Sequence, residues 1–115
     1  MKLAYKIWLD SDGKAFGDGP YELLCLVEKT GSLHQAAKQM AMSYRKAWLL
    51  IQAMEKRLGF VILERQVGGI SGGGSKITAP AQEFMQQYDR FRSEAGHALE
   101  AIYGKYFGAV KSPES

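Results

Sequence analysis

Two serines, Ser32 and Ser43, constrain this 115-residue chain more than any other feature. Each stands where a helix N-cap belongs, its hydroxyl placed to take a free N–H of the first turn. Ser32 precedes "LHQAAKQM" (33–40), in which Leu33, Ala36, Ala37 and Met40 recur on one helical face. Ser43 precedes "YRKAWLLIQAMEKRLG" (44–59). There Ala47, Ile51, Met54 and Leu58 lie at helical spacing, with Leu50 beside them, and Gly59 supplies the stop. Only Ala41 and Met42 separate the two stretches. Alanines on the first helix let another helix approach closely. Two short helices joined by so tight a break describe a helix-turn-helix.

The flanking segments extend this unit. "KLAYKIWLD" (2–10) alternates Leu3, Tyr5, Ile7 and Leu9 with Lys2, Lys6 and Trp8, which predicts a half-buried strand turned back at Asp12-Gly13. "DGPYELLCLVEKTG" (18–31) reads as a helix with Pro20 in its first turn and Gly31 at its end, burying Leu23, Leu24, Leu26 and Val27. "FVILERQV" (60–67) and "SKIT" (75–78) predict strands on either side of "GGISGGG" (68–74), whose glycines form a hairpin tip. Thr78 and Pro80 then start a long helix to about Tyr106. Along it Phe84, Tyr88, Phe91, Ala95, Ala98 and Ile102 step by four and three, a heptad seam too long for a small core to cover. The expected class is α+β, mostly α. Residues 1–79 form one domain, 80–107 a long dimerisation helix and 108–115 a disordered tail.

Several functions fit poorly. The glycines fail as a phosphate-binding loop, because Gly74 is followed by Ser75-Lys76 and no helix opens there. His34 and His97 stand on separate helices with no ligand spacing, so neither a metal site nor a catalytic constellation is expected. Glu22 and Glu28 read as helix-surface carboxylates. Cys25, in the apolar run "ELLCLVE", reads as a buried inert thiol, and one cysteine builds no internal disulfide. The charged N-terminus is unlike a secretory leader, and no stretch reaches membrane-spanning length. A cytoplasmic, non-enzymatic protein without cofactors is expected.

Charge narrows the choice further. Between residues 34 and 76 stand Lys38, Arg45, Lys46, Lys56, Arg57, Arg65 and Lys76 against Glu55 and Glu64, a net +5. The whole chain carries +3, which leaves −2 for the rest. A basic middle between acidic ends is the outline of a polyanion-binding surface.

"TGSLHQAAKQMAMSYRKAWLLIQAMEKRLG", with the run Met42 to Trp48, Glu64-Arg65 before the glycine wing and "KITAPAQEF", resembles the LysR-type winged helix-turn-helix. It is closer to the N-terminal DNA-binding domain of the ModE family of molybdate-responsive regulators. The resemblance covers most of the chain. It implies a homodimer joined through long helices, with recognition helices in successive major grooves of double-stranded DNA. Regulators of that family carry C-terminal molybdate-binding domains, and this sequence stops at residue 115, so no molybdate binding is expected.

In this setting each residue has a role. The recognition helix presents its first residues to the groove. Arg45 suits bidentate bonds to guanine, and Lys46 a phosphate or a guanine. The hydroxyls of Ser43 and Tyr44 suit phosphate, and the Tyr44 ring a thymine methyl. Gln35 and Lys38, near the start of the preceding helix, would meet the DNA backbone. Gly72, Gly73 and Gly74 would bring hairpin N–H groups against phosphates, with Ser75 and Lys76 adding a hydroxyl and a charge. Trp48 is assigned to the core. Leu49 faces outward, where relatives are often more polar, open to an apolar base contact or a protein contact. The competing function is a winged helix for protein–protein interaction, with Leu49, Trp8 and the long helix as its surface.

Overall fold

Asp12 and Gly13 turn the chain through positive φ angles of 55° and 119°. The Asp10 carboxylate accepts the Gly13 N–H at 3.2 Å. The turn joins β1 (Trp8–Asp10) to β2 (Lys14–Gly17), an antiparallel pair whose register slips between Leu9 and Asp10. The computed structural model describes residues 1–66 and 74–108. The strand expected over 2–10 is therefore shortened to its last three residues. With only four residues in β2, residues 2–7 have no strand to pair with among the described residues. They run past the last helix instead, where a Cβ on Gly96 would come within 2.5 Å of the Tyr5 hydroxyl.

β2 delivers Phe16 to the centre of the core, fully buried. The chain then enters α1 (Asp18–Thr30), which buries Leu23, Leu24 and Val27 and ends at Gly31 in the left-handed conformation (φ 72°). Cys25 is only partly buried, a correction to the sequence expectation. Burial still pushes its thiol up from the usual range, against the lowering effect of its hydrogen bond with Tyr21. The thiol therefore keeps its proton.

The predicted helix pair follows as α2 (Leu33–Gln39) and α3 (Tyr44–Leu58). Ser32 Oγ accepts the Gln35 N–H and Ser43 Oγ the Lys46 N–H, both at 3.1 Å. Such caps are worth about 1 kcal/mol each. The turn between the helices has a specific geometry. Met42 N–H donates to the Ala37 carbonyl at 3.0 Å and Ala41 N–H to the Lys38 carbonyl at 3.1 Å. Ala41 takes φ 55°. This is a Schellman turn, in which the left-handed position usually belongs to glycine. Ala36, Ala37 and Ala47 are all buried where α1, α2 and α3 meet.

The wing consists of β3 (Leu63–Gln66) and β4 (Gly74–Ile77), paired antiparallel from Leu63↔Ile77 to Gln66↔Gly74. Its root is fastened twice. The Glu55 carboxylate, on α3, accepts the N–H of Ile62 at 2.7 Å and of Leu63 at 3.4 Å. Thr78 donates its hydroxyl to the Val61 carbonyl at 2.6 Å and its N–H to the Ile62 carbonyl at 2.9 Å. The same hydroxyl accepts the Ala81 N–H and so caps α4 (Ala79–Phe107). The architecture is a winged helix-turn-helix with an N-terminal hairpin and a long final helix.

α4 has 29 residues, which makes it about 43 Å long. Its expected seam divides in two. Phe84 and Tyr88 pack into the chain's own core: their rings stand edge-on to Phe16 at 5.0 and 4.9 Å, Tyr88 buried and Phe84 partly so. A core this small has one wide aromatic socket, and Phe16 fills it from the hairpin side. Phe91, Ala98 and Ile102 are exposed, and Ala95 is partly covered. A polar clasp marks the point of division. The Asp18 carboxylate accepts the Tyr88 hydroxyl at 2.7 Å and the Arg92 guanidinium at 3.0 Å. Arg92 also pairs with Asp89 and lies over the Tyr21 ring, 4.4 Å from its centroid.

The clasp titrates in a definable direction. Burial, and then the hydrogen bond to Asp18, push the Tyr88 hydroxyl up to about 12. An unfolded chain releases that proton near pH ~10. The stability held by this proton is therefore complete below the unfolded value and lost as pH rises through the folded one. Denaturant midpoints should fall across that alkaline window, and the fall should be shallower in Tyr88→Phe. At the helix turn, Ala41→Gly should relieve a left-handed cost of about 1–2 kcal/mol while adding unfolded-state entropy worth about 0.4–1 kcal/mol. A net gain of roughly 0.5–1 kcal/mol in urea denaturation is expected.

Candidate nucleic-acid interface

Successive residues of α3 turn by about 100° around its axis. Ala47, Ile51 and Met54 fix the buried side. The opposite side is then centred on Arg45, Leu49, Gln52 and Lys56, all exposed. Tyr44 and Trp48 flank this strip on one edge and Lys46 on the other. The strip opens at the N-terminus of α3, where Ser43 is exposed and its hydroxyl already holds the Lys46 N–H. Arg45 therefore stands where the sequence puts it, on the outermost line of the helix.

Trp48 does not. It is 43% exposed and belongs to the outward edge rather than to the core. The core positions of α3 beside α2 are filled by Ala47 and Ile51, and α2 brings Ala36 and Ala37, with Leu33, to the same cluster. An indole does not fit between helices packed that closely. Leu49, 50% exposed, faces outward as expected.

Tyr44 has a neighbour that local periodicity cannot reveal. The His34 ring, on α2, stacks on it with centroids 5.3 Å apart and planes 26° from parallel. Read alone, His34 is an isolated surface histidine. The turn at Ala41 brings it across the helix pair to lie against the tyrosine. Lys46 is exposed and lines an apolar cleft of about 420 Å³ with Met40, Met42 and Leu50. Gln35 and Lys38 are exposed on α2, and the Gln35 N–H is already spent on the Ser32 cap.

In the wing, Lys76 is exposed opposite Glu64, and Arg65 is exposed opposite Ser75. Gly72 and Gly73 lie outside the described residues. Gly74 and Ser75 are engaged within the chain itself. The Ser75 N–H donates to the Gly31 carbonyl at 2.8 Å, so it is not free for a phosphate. A Cβ on Gly74 would stand 2.5 Å from the same carbonyl oxygen. At that position the missing side chain serves the contact between the wing and the end of α1.

Charges in this region are largely uncommitted. Among the described residues the ion pairs are those of Arg92 with Asp18 and Asp89, on the far element α4. Arg57 bonds a carbonyl, that of Lys14, at 3.3 Å. Among the described residues no group of three His, Cys, Asp or Glu side chains could hold a metal ion. No described helix is long and apolar enough to cross a membrane.

This geometry has known counterparts. Residues 21–81 match the model for "Bacterial regulatory helix-turn-helix protein, lysR family". The transcriptional regulator ModE of Haemophilus influenzae is 38% identical over 80 residues, 70% of this chain and 31% of the relative. The molybdenum transport protein ModE of Azotobacter vinelandii is 33% identical over 95 residues, 82% of this chain and 35% of the relative. The chain thus spans about a third of the length of these curated relatives. Among solved structures, the DNA complex of the CbnR DNA-binding domain superposes with a TM-score of 0.58 at 25% identity, covering 76% of this chain and 95% of that one. CbnR itself, a LysR family transcriptional regulator, superposes with a TM-score of 0.56 at 26% identity, covering 75% and 28%. The matched span takes in α1, the helix pair and the wing, and by it the chain belongs to the lysR family of bacterial regulatory helix-turn-helix proteins.

Proposed function

We propose that this chain binds duplex DNA as a homodimer and regulates transcription, with α3 in the major groove and the wing along the backbone. The observation that carries the reading is the outward face of α3. Arg45 occupies its centre, exposed and outside any ion pair among the described residues. A guanidinium so presented suits the O6 and N7 acceptors of guanine. Ser43, Tyr44, Lys46, Gln35 and Lys38 surround it with groups suited to phosphate, and Ser75 and Lys76 extend the basic surface along the wing. Gly72 and Gly73 belong to the same proposed contact. The relatives' printed functions, a transcriptional regulator and a DNA-bound domain, agree with this chemistry. The protein-interaction alternative needs an apolar patch continuous across Leu49. Arg45, Gln52 and Lys56 interrupt it, so DNA is preferred. The proposal assigns these 115 residues no cofactor, no catalysis and no molybdate site, and places the protein in the cytoplasm.

Duplexes selected from random sequence supply the operator, and titrations at several salt concentrations test the assignment. Arg45→Ala should cost about 1–3 kcal/mol per half-site on the operator and much less on random DNA. Lys76→Ala should weaken both DNAs together and reduce the slope of log K against log salt by about one unit. Unchanged operator affinity in Arg45→Ala would defeat the recognition-helix assignment.

The dimer is proposed through the free part of α4, where Phe91, Ala95, Ala98 and Ile102 continue a seam whose first two members are spent on the core. Tyr106, also exposed, widens it. Light scattering should give twice the 12.8 kDa chain mass. Phe91→Glu and Ile102→Glu should each shift the protein toward monomer without unfolding it, and a wild-type monomer at micromolar concentration would refute the dimer.

A further inference from the structure

Leu49 sits on the most outward line of α3, with Arg45 one turn before it, Gln52 nearly one turn after it and Lys56 two turns after it. All four are exposed, and Leu49 is half-exposed at 50%. It is an apolar side chain framed by polar and cationic ones, not part of a broad hydrophobic patch. Trp48 and Tyr44 adjoin it from one edge only. A protein partner needs a continuous apolar area to desolvate. A polyanion suits the cationic frame, and among its parts the C5-methyl of thymine is the apolar group at the floor of the major groove.

We infer that Leu49 is a specificity-determining residue that reads a thymine methyl beside the guanine taken by Arg45. This rests on the DNA-binding reading above and adds to it a second base contact. The spacing fits. One helical turn advances about 5.4 Å. Base pairs rise about 3.4 Å. A helix lying along the groove thus sets Leu49 one or two base pairs from the contact of Arg45. The geometry of the α3 caps supports a fixed approach, since Ser43 and the Ala41 turn hold the first turn of the helix in place. The inferred half-site therefore contains a guanine and, within two base pairs, a thymine whose methyl group contributes to recognition. Discrimination here needs no hydrogen bond. It comes from removing a methyl and a leucine together from water.

The test removes only the methyl. On the operator obtained by selection, each half-site thymine is replaced in turn by deoxyuridine, and affinity is measured by gel-shift titration at fixed salt. One such replacement should weaken wild-type binding by about three- to tenfold per half-site, the scale of one buried methyl. In Leu49→Ala the same replacement should have no effect, while replacement of the guanine should still weaken binding. Leu49 is exposed, so the variant should keep the wild-type melting temperature, which is measured alongside. Three results overturn the inference: a selected half-site with no thymine within two base pairs of that guanine, wild-type affinity indifferent to every deoxyuridine, or methyl discrimination that survives in Leu49→Ala. If Arg45→Ala loses operator binding while Leu49→Ala keeps full methyl discrimination, only the role of Leu49 falls. If wild-type protein binds no duplex, the DNA-binding reading falls with it.

Discussion

The direction of α3 depends on one residue, Ala41, held in the left-handed conformation between two helices. Its neighbours close the turn by giving their N–H groups to α2 carbonyls. Beneath the turn the contact is made by alanines, with Ala36, Ala37 and Ala47 at most 1% exposed. A larger side chain at any of these three buried positions would overpack the contact and push α3 away from α2. The outward strip from Arg45 to Lys56 is aimed by this junction at its start and by the bonds of Glu55 and Arg57 at its end. The His34–Tyr44 stack is a consequence of the same geometry, because only this crossing brings the start of α2 beside the start of α3.

The two attachments that flank the helix pair are fastened by different chemistry. The wing is held through the backbone: Glu55 takes two N–H groups at its root, Thr78 ties Val61 and Ile62, and Ser75 bonds Gly31. Beneath these bonds Ile62 and Ile77 are buried in the core, so apolar packing holds the root as well. α4 is held by rings and one buried hydroxyl, with Phe16 set against Phe84 and Tyr88 and the Asp18 clasp beyond them. Past Arg92 the helix carries no comparable anchor among the described residues, and large apolar groups stand in solvent. The clasp thus separates the part of α4 packed on the core from the part that, on the proposed reading, meets a second copy.

Much of this was legible in the chain because it is written locally. Ser32, Ser43 and Thr78 announce their helices by capping chemistry that needs only the next three residues. Gly31 and Gly59 end theirs in the left-handed conformation. The paired strands of the wing follow from the runs on either side of the glycines. What local pattern cannot state is which face meets which. Trp48 reads as inward from its helical position beside Ala47, but it is 43% exposed, one step round from the buried face that Ala47 and Ile51 fill. Tyr88 fitted a heptad seam as well as it fits its own core, since a period of three and four describes any helix face turned toward something. The first strand failed because alternation says that a segment can pair, not that a partner strand exists. The sequence shows His34 as an isolated histidine because its stacking partner lies across a turn, and it assigns Gly74 to a phosphate contact because its close neighbour, Gly31, lies far back in the chain.

On the proposed reading, the centre of the recognition face is where a leucine costs most and tells most. A lysine at position 49 would add a phosphate contact or a released counterion, strengthening binding to every sequence alike. Leucine forgoes that general attraction. Its apolar surface gains only where the groove offers a methyl, and elsewhere it stands against polar base edges that it cannot satisfy. The lysines at 38, 46 and 76 surround the face and supply affinity without sequence preference, while Arg45 and Leu49 at its centre bind well to few sequences. Specificity is the ratio of those two kinds of binding rather than either alone. A basic rim around a centre of one guanidinium and one aliphatic side chain raises that ratio from both sides: the rim brings the protein to DNA, and the centre withholds full contact from sites lacking the right pair of groups.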